Sequence, residues 1–177
     1  MIKLEFFQKE YCDEYIKMYN EFVNNNSDLV PDILEIKCTN NQEYQNLLNI
    51  IKSKEAGIHD DTDWYKEGYY FLAFDKTKLI GLGCIRNELT KKGYDIWGNI
   101  AYGVRPSERK KGYGTLIANE LVQKSKELGI TEIILCHYED NKISPKIFKK
   151  IGAEFINEII SPYTNKKIKR YNIVVNQ

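Results

Sequence analysis

The sequence predicts an α+β fold, with about seven strands in a central mixed, mostly antiparallel sheet and about four helices around it. Two observations carry this. Short runs with alternating apolar residues, the pattern of half-buried strands, are interleaved with segments whose apolar residues recur at helical spacing. At one point the period changes across a basic loop that carries glycines. Ile100, Tyr102 and Val104 alternate before Arg105-Pro106-Ser107-Glu108-Arg109-Lys110-Lys111-Gly112, and Leu116, Ile117, Leu121 and Val122 follow at helical spacing.

Residues 2–7 read as a first strand and 11–23 as a helix with Tyr15, Ile16, Tyr19, Phe22 and Val23 on one face. From 24 to 63 the chain is rich in Asn and Asp, carries Pro31, and holds one helix over 41–54, using Tyr44, Leu47, Leu48 and Ile51. A hairpin over 69–75 and 79–86 turns at Lys76-Thr77-Lys78, and a strand over 95–104 follows a turn at Lys91-Lys92-Gly93. The helix after the basic loop ends at Gly129. A strand over 131–137 and a helix over 144–151, stopped by Gly152, come next. Strands over 154–160 and 168–175 close the fold, joined by a turn in which Pro162 lies outside any central ladder.

The 177 residues, 42% of them hydrophobic, fit a single domain spanning 1–177 with a full core. With 26 basic and 25 acidic side chains the net charge is +1, which gives no broad cationic surface and implies no nucleic-acid partner. The run Lys166-Lys167-Ile168-Lys169-Arg170 reads as a solvated strand face. The first residues, Met1-Ile2-Lys3-Leu4-Glu5, lack a long apolar stretch, so neither a signal peptide nor a membrane span is expected, and the protein is expected to be cytoplasmic. Cys12, Cys38, Cys84 and Cys136 are widely separated and only His59 and His137 offer imidazoles, so no metal site is expected. On a strand Cys136 and His137 point to opposite faces, which rules them out as a direct nucleophile and base pair.

The loop before residue 113 opens a helix. Unpaired backbone N–H groups there point outward with the positive end of the helix dipole, while Gly112 and Gly114 leave room for a phosphate. Two familiar phosphate loops fail on spacing. Gly112 is followed by Tyr113 rather than by Lys and a hydroxyl residue, and the third glycine of a dinucleotide fingerprint would fall on Ile117.

Arg109-x-x-Gly112-x-Gly114, five residues after Val104, resembles the acyl-CoA pyrophosphate motif of the GNAT superfamily of N-acetyltransferases. A second block, Asn141, Ser144, Phe148 and Lys149-Lys150-Ile151-Gly152-Ala153, resembles that family's next segment. The likeness covers roughly residues 69–175, with weaker likeness in the first third. Ala101-Tyr102-Gly103-Val104-Arg105-Pro106-Ser107-Glu108-Arg109 and Lys169-Arg170-Tyr171 are similar to a bacterial subgroup of predicted acetyltransferases. The resemblance implies that strands 96–104 and 131–137 diverge and that the pantetheine arm of acetyl-CoA lies between them. Gly103, Val104, Arg109, Lys110, Lys111, Gly112, Tyr113, Gly114, Thr115, Asn141, Ser144 and Phe148 would then be the cofactor-binding residues.

The implied reaction is transfer of the acetyl group to a primary amine by direct attack in a ternary complex, without a metal. Here the chain departs from the family it resembles: the position four before the glycine of the second block is often an acid tyrosine there, and Phe148 has no proton to donate. Tyr138 and Tyr102 are the candidate acids. Asn99 stands where a carboxylate base would be convenient, which leaves Glu88, and beside it Asp95, Glu139, Asp140 and His137, as candidate bases. Residues 24–66 would shape the acceptor site, where Asp60, Asp61 and Asp63 near Trp64 and Tyr65 read either as a trap for a cationic amine or as solvated turn residues. The expected partners are a small-molecule amine or a peptide amine, with the chain acting as monomer or homodimer. Phe148 also keeps open an acyl-CoA-binding protein or sensor with little activity.

Overall fold

The computed structural model describes residues 2–60 and 64–175. In chain order the elements are β1 (Ile2–Phe6), α1 (Cys12–Asn24), α2 (Asn41–Glu55), β2 (Tyr65–Asp75), β3 (Lys78–Leu89), α3 (Lys91–Ile96), β4 (Ile100–Val104), α4 (Tyr113–Glu127), β5 (Glu132–Tyr138), α5 (Ser144–Lys150), β6 (Glu154–Ile160) and β7 (Lys167–Val174). The strands form two sheets, one of four strands ordered β1-β2-β3-β4 and one of three ordered β5-β7-β6, and every ladder within them is antiparallel.

Strand alternation divides the core. Tyr70, Leu72, Leu82 and Cys84 face α1 and α2, where they meet Tyr15, Met18, Phe22, Leu47 and Ile51. Phe71, Ala73, Ile85 and Ile100 face the other way and join Ile117 and Leu121 of α4. That second cluster also takes in Ile133 and Leu135 of β5 and Phe148 of α5, so one apolar layer is shared by both sheets.

The expected hairpin is longer than the sequence indicated and turns at Lys76, which has φ +55°. One element was misread. Residues 95–99 are not strand: Lys91–Ile96 is a short helix capped by the Thr90 hydroxyl, which accepts from Gly93 N at 3.2 Å, and β4 begins only at Ile100. Nor is the basic run that opens the last strand a wholly solvated face, because Arg170 is buried against Asp95, with Nη1 to Oδ1 at 2.7 Å.

Candidate functional site

The two sheets meet at one clasp. Asn99 N donates to Ile134 O at 2.7 Å and its Oδ1 accepts from Ile134 N at 2.8 Å, while its Nδ2 donates to Arg86 O at 2.8 Å. Gly98 bridges to Leu135 beside it. Among the described residues no further ladder joins β4 to β5, so the strands separate beyond this point. Asn99 is thus a buried structural pin at the place where a catalytic carboxylate was sought.

Antiparallel ladders alternate which residues bond across. Arg86 N donates to Asn99 O and Arg105 N to Ile80 O, so the pairs in step with them, including Leu82 and Gly103, use their polar groups between β3 and β4. The peptide groups of Tyr102 and Val104 therefore face the separation, and those of Gly103 do not. Gly103 matters for another reason: a Cβ there would lie 2.4 Å from Val30 O, so the α1–α2 connection rests directly on this strand.

After β4 the chain makes a short turn at Pro106–Glu108 and reaches α4 through Lys110, with φ +63°, and Gly112, with φ +87°. Gly112 caps α4 without a side chain and has nothing within 4 Å of a notional Cβ. Gly114 packs closer, its notional Cβ 3.0 Å from Ile147 of α5 and 4.0 Å from Tyr102. Tyr113 ties this helix start to the β2–β3 hairpin by donating to Asp75 Oδ2 at 2.7 Å, and Thr115 N closes the first turn on Gly112 O at 3.1 Å. The loop cations are not equal. Lys111 is held by Glu108 at 2.9 Å, Arg109 donates from Nε to Val104 O at 3.2 Å, and Lys110 is exposed. Arg105 is an inward strut, paired with Glu21 at 2.6 Å.

In the second block, Asn141 Oδ1 accepts from Ile143 N and Ser144 N, each at 3.0 Å, and so fixes the start of α5. Phe148 is buried, edge-on to Tyr171 at 5.3 Å and to His137 at 5.8 Å. Two side-chain atoms beside the separation are buried without a hydrogen-bond partner: the Tyr102 hydroxyl and His137 Nε2. Burial pushes the Tyr102 phenol well above its ordinary pKa of 10, so it stays a proton-bearing donor.

This loop, helix start and second block lie within the stretch, residues 36–153, matched by the sequence model of the acetyltransferase (GNAT) family. The chain belongs to the GNAT acetyltransferase family. Among curated protein sequences none matches it. Solved structures share its fold at low identity. The acetyl transferase from Salmonella typhimurium that modifies the N-terminal serine of ribosomal protein L7/L12 superposes with TM-score 0.69 at 11% identity, over 99% of this chain and 95% of that one. The microcin C7 self-immunity acetyltransferase MccE, in complex with acetyl-CoA and AMP, gives 0.67 at 16%, over 98% and 92%. Dodecameric spermidine N-acetyltransferase from Vibrio cholerae gives 0.63 at 17%, over 98% and 93%.

Within this GNAT chain the structure separates the remaining candidates. Tyr138 ends β5 on the face opposite His137, with the Lys166 ammonium 5.3 Å from its ring centre. Glu88 sits five residues along β3 from Gly83, the partner of Tyr102, or about 16 Å at strand rise. It is exposed, in the left-handed region at φ +48°, and paired with Lys66 at 3.1 Å, so it does not join the tyrosines. Asp95 is neutralised by Arg170 and by Lys91, each at 2.7 Å, and Glu139 pairs with Lys167 at 3.3 Å. Burial pushes the Cys136 thiol up to about 12, which makes it a poor nucleophile. Among the described residues no three His, Cys, Asp or Glu side chains are grouped to hold a metal, and no helix is long and apolar enough to cross a membrane.

The aromatic trap is already occupied. Trp64 stacks on Trp97 at 4.8 Å with the Lys92 ammonium 4.0 Å from its ring centre, and the buried Tyr65 ring has Lys54 at 5.6 Å and Arg86 at 5.8 Å. Asp60 is exposed, and Asp61 and Asp63 lie outside the described residues. Sequence reasoning missed a buried polar cluster on this face. Asp32 accepts from Arg86 at 3.3 Å, from Lys54 at 3.3 Å and from the Tyr70 hydroxyl at 2.9 Å, and Tyr65 and Tyr70 share a hydrogen bond at 3.0 Å. The available signal was Arg86, a charge directly after the apolar run Leu82-Gly83-Cys84-Ile85.

Proposed function

We propose that this chain transfers the acetyl group of acetyl-CoA to a primary amine on a small molecule or a peptide. The observation that carries the reading is the separation of β4 from β5, opening beside an α4 start that has no side-chain cap. The residues fit the donor. The left-handed Gly112 aims the α4 amides into open space, as a pyrophosphate requires, with Arg109, Lys110 and Lys111 beside it and Tyr113, Gly114 and Thr115 forming the first turn. The outward peptide groups of Tyr102 and Val104 offer the pantetheine arm the edge of a strand, with Gly103 setting the depth of that wall. Asn141 and Ser144 orient α5 so that Phe148 closes the far side.

The neutral amine attacks the thioester carbon, the carbonyl oxygen takes up negative charge, and the carbon–sulfur bond breaks with its electron pair going to sulfur. Tyr102 is placed to hydrogen bond to the developing charge, because its hydroxyl has no other partner and burial keeps it protonated. Orientation of amine and thioester in one cleft supplies ~7–11 kcal/mol of the barrier, so the absence of a tyrosine at 148 does not abolish turnover. The test is acetyl-CoA binding by calorimetry, followed by free-thiol release against polyamines, other small primary amines and peptide amino termini. Binding with acceptor-dependent thiol release is the expected result. No binding overturns the cradle, and binding with no release for any acceptor overturns the transferase.

A further inference from the structure

His137 lies on β5 two residues past Leu135, the partner of Gly98 in the last bridge between the sheets, and its surroundings fix its chemistry. Nδ1 is 2.7 Å from Tyr138 O. A carbonyl oxygen only accepts, so Nδ1 carries the proton and Nε2 of the neutral ring carries a lone pair. That Nε2 is buried and has no hydrogen-bond partner, although the side chain is 93% enclosed, with 7% of its surface exposed. The ring is clamped: Tyr171 of β7 stacks on it at 5.6 Å and 29°, and Phe148 of α5 meets its edge at 5.8 Å. Phe148 belongs to the apolar cluster that Tyr171 of β7 and Tyr102 of β4 both pack against. The two unpartnered polar atoms beside the separation are therefore of opposite kinds, a phenol that donates and an imidazole that accepts.

We propose that His137 Nε2 is the proton acceptor of the acetyl transfer, taking the proton released by the attacking amine and returning it to the departing sulfur. This rests on the acetyltransferase reading. When nitrogen bonds to the thioester carbon, its N–H proton moves to Nε2 and the imidazole becomes cationic. When the carbon–sulfur bond breaks, the electron pair goes to sulfur and Nε2–H delivers the proton there, leaving amide, thiol and a neutral ring. No oxidant or reductant is needed. The charged groups around the ring leave it neutral before reaction. Burial holds the imidazole below its ordinary pKa of 6.5, and Lys169, its cross-strand partner on β7, and Lys142, on the β5–α5 connection, push the same way. The Tyr138 carbonyl and Asp140 oppose them. From α5 the ring meets only Phe148, since Lys146, Lys149 and Lys150 are exposed.

The chain has 2 histidines, so imidazole resonances of protein labelled at histidine separate into the buried His137 and His59, and His59→Asn assigns them. The expected result is a Nδ1–H tautomer for His137, titrating below the ordinary range, and a shift of its Nε2 signal on adding coenzyme A while His59 stays still. The acid limb of kcat/KM should follow the same titration. His137→Phe should lose that limb and ~10²-fold or more in kcat at unchanged coenzyme A affinity. His137→Gln, which keeps polarity but cannot shuttle a proton, should behave as His137→Phe does and guards against loss of fold. A wild-type limb and kcat in either folded variant overturns the proposal. So does a His137 signal that ignores coenzyme A. Wild-type protein that binds acetyl-CoA without releasing thiol defeats the transferase reading instead.

Discussion

Asn99 is the residue at which reading from the family and reading from the structure give opposite forecasts. A carboxylate there would be a convenient base, so Asn99→Asp is the change that a search for catalysis would make first. The geometry gives the reverse expectation. Asn99 is 6% exposed, and its side chain satisfies Arg86 O and Ile134 N at 2.8 Å each. Asn99→Ala leaves both buried backbone groups without a partner, at ~1–3 kcal/mol each, or about 2–6 kcal/mol in total. In a domain of this size each kcal/mol lowers Tm by ~2–4 °C, so calorimetry should show a drop of about 10 °C. Asn99→Asp keeps the acceptor for Ile134 but turns a carboxylate oxygen toward the Arg86 carbonyl. Burial and that repulsion raise the folded-state pKa of the new acid above its unfolded value. Its protonated form donates to Arg86 O, so the variant's stability deficit against wild type should shrink as pH falls from 8 to 5 and grow as pH rises. Thermal scans across that range, with thiol release measured alongside, decide the matter. A deficit independent of pH, or an Asn99→Asp rate above wild type, refutes the clasp.

Two further outcomes follow from the same geometry. Gly112→Ala meets no steric neighbour, so its cost is the left-handed backbone alone, ~1–2 kcal/mol, with a Tm loss of a few degrees. Relaxation of that backbone re-aims the α4 amides, and calorimetry should show acetyl-CoA affinity falling by more than the stability loss explains, while an unchanged affinity would remove the cradle from this loop. Arg170→Met leaves the buried Asp95 carboxylate with the exposed Lys91 as its remaining cation, and unfolding midpoints should show a loss of up to ~3–5 kcal/mol that Asp95→Leu in the same chain largely restores.

The fold was legible wherever one side chain in two or one in four had to be apolar. Helices α1, α2 and α4 each bury one face against a core, β7 alternates, and the hairpin, buried on both faces, reads as two apolar runs, so burial writes these elements into the sequence. The α3 helix escaped because six residues with a glycine inside and little beyond Ile96 to bury have no period to read. Its signal was the capping hydroxyl of Thr90, with Gly93 required because a Cβ there would lie 1.9 Å from Trp64 O. The bend from β4 into α4 was legible because it is local, resting on Gly112 and on the change of apolar period on either side of it. Acid and base groups were not, because their state depends on partners far along the chain. Asp95 reads as a free carboxylate until Arg170, 75 residues away, neutralises it. His137 reads as a strand-end histidine until Tyr171 and Phe148 close over it.

The separation of β4 from β5 is itself informative about function. A sheet that continued through both strands would pair the peptide groups of Tyr102 and Val104 with β5; here Val104 O takes Arg109 Nε instead, and leaving such groups unpaired away from water is costly. Instead the chain stops pairing immediately past Asn99 and spends a buried side chain on holding the two edges at that one point, with an apolar cluster shared by α4, β5 and α5 behind them. Two polar atoms, the Tyr102 hydroxyl on β4 and His137 Nε2 on β5, are then left without partners. Each feature alone lowers stability relative to a continuous sheet. Their coincidence at one wedge, with an uncapped helix start beside it, is what a fold shaped around an extended ligand bearing amides at one end and phosphates at the other would produce. The same reasoning gives its own check: coenzyme A should raise Tm with concentration, and the rise should fall in Tyr102→Phe, which removes the donor wall while leaving the ring.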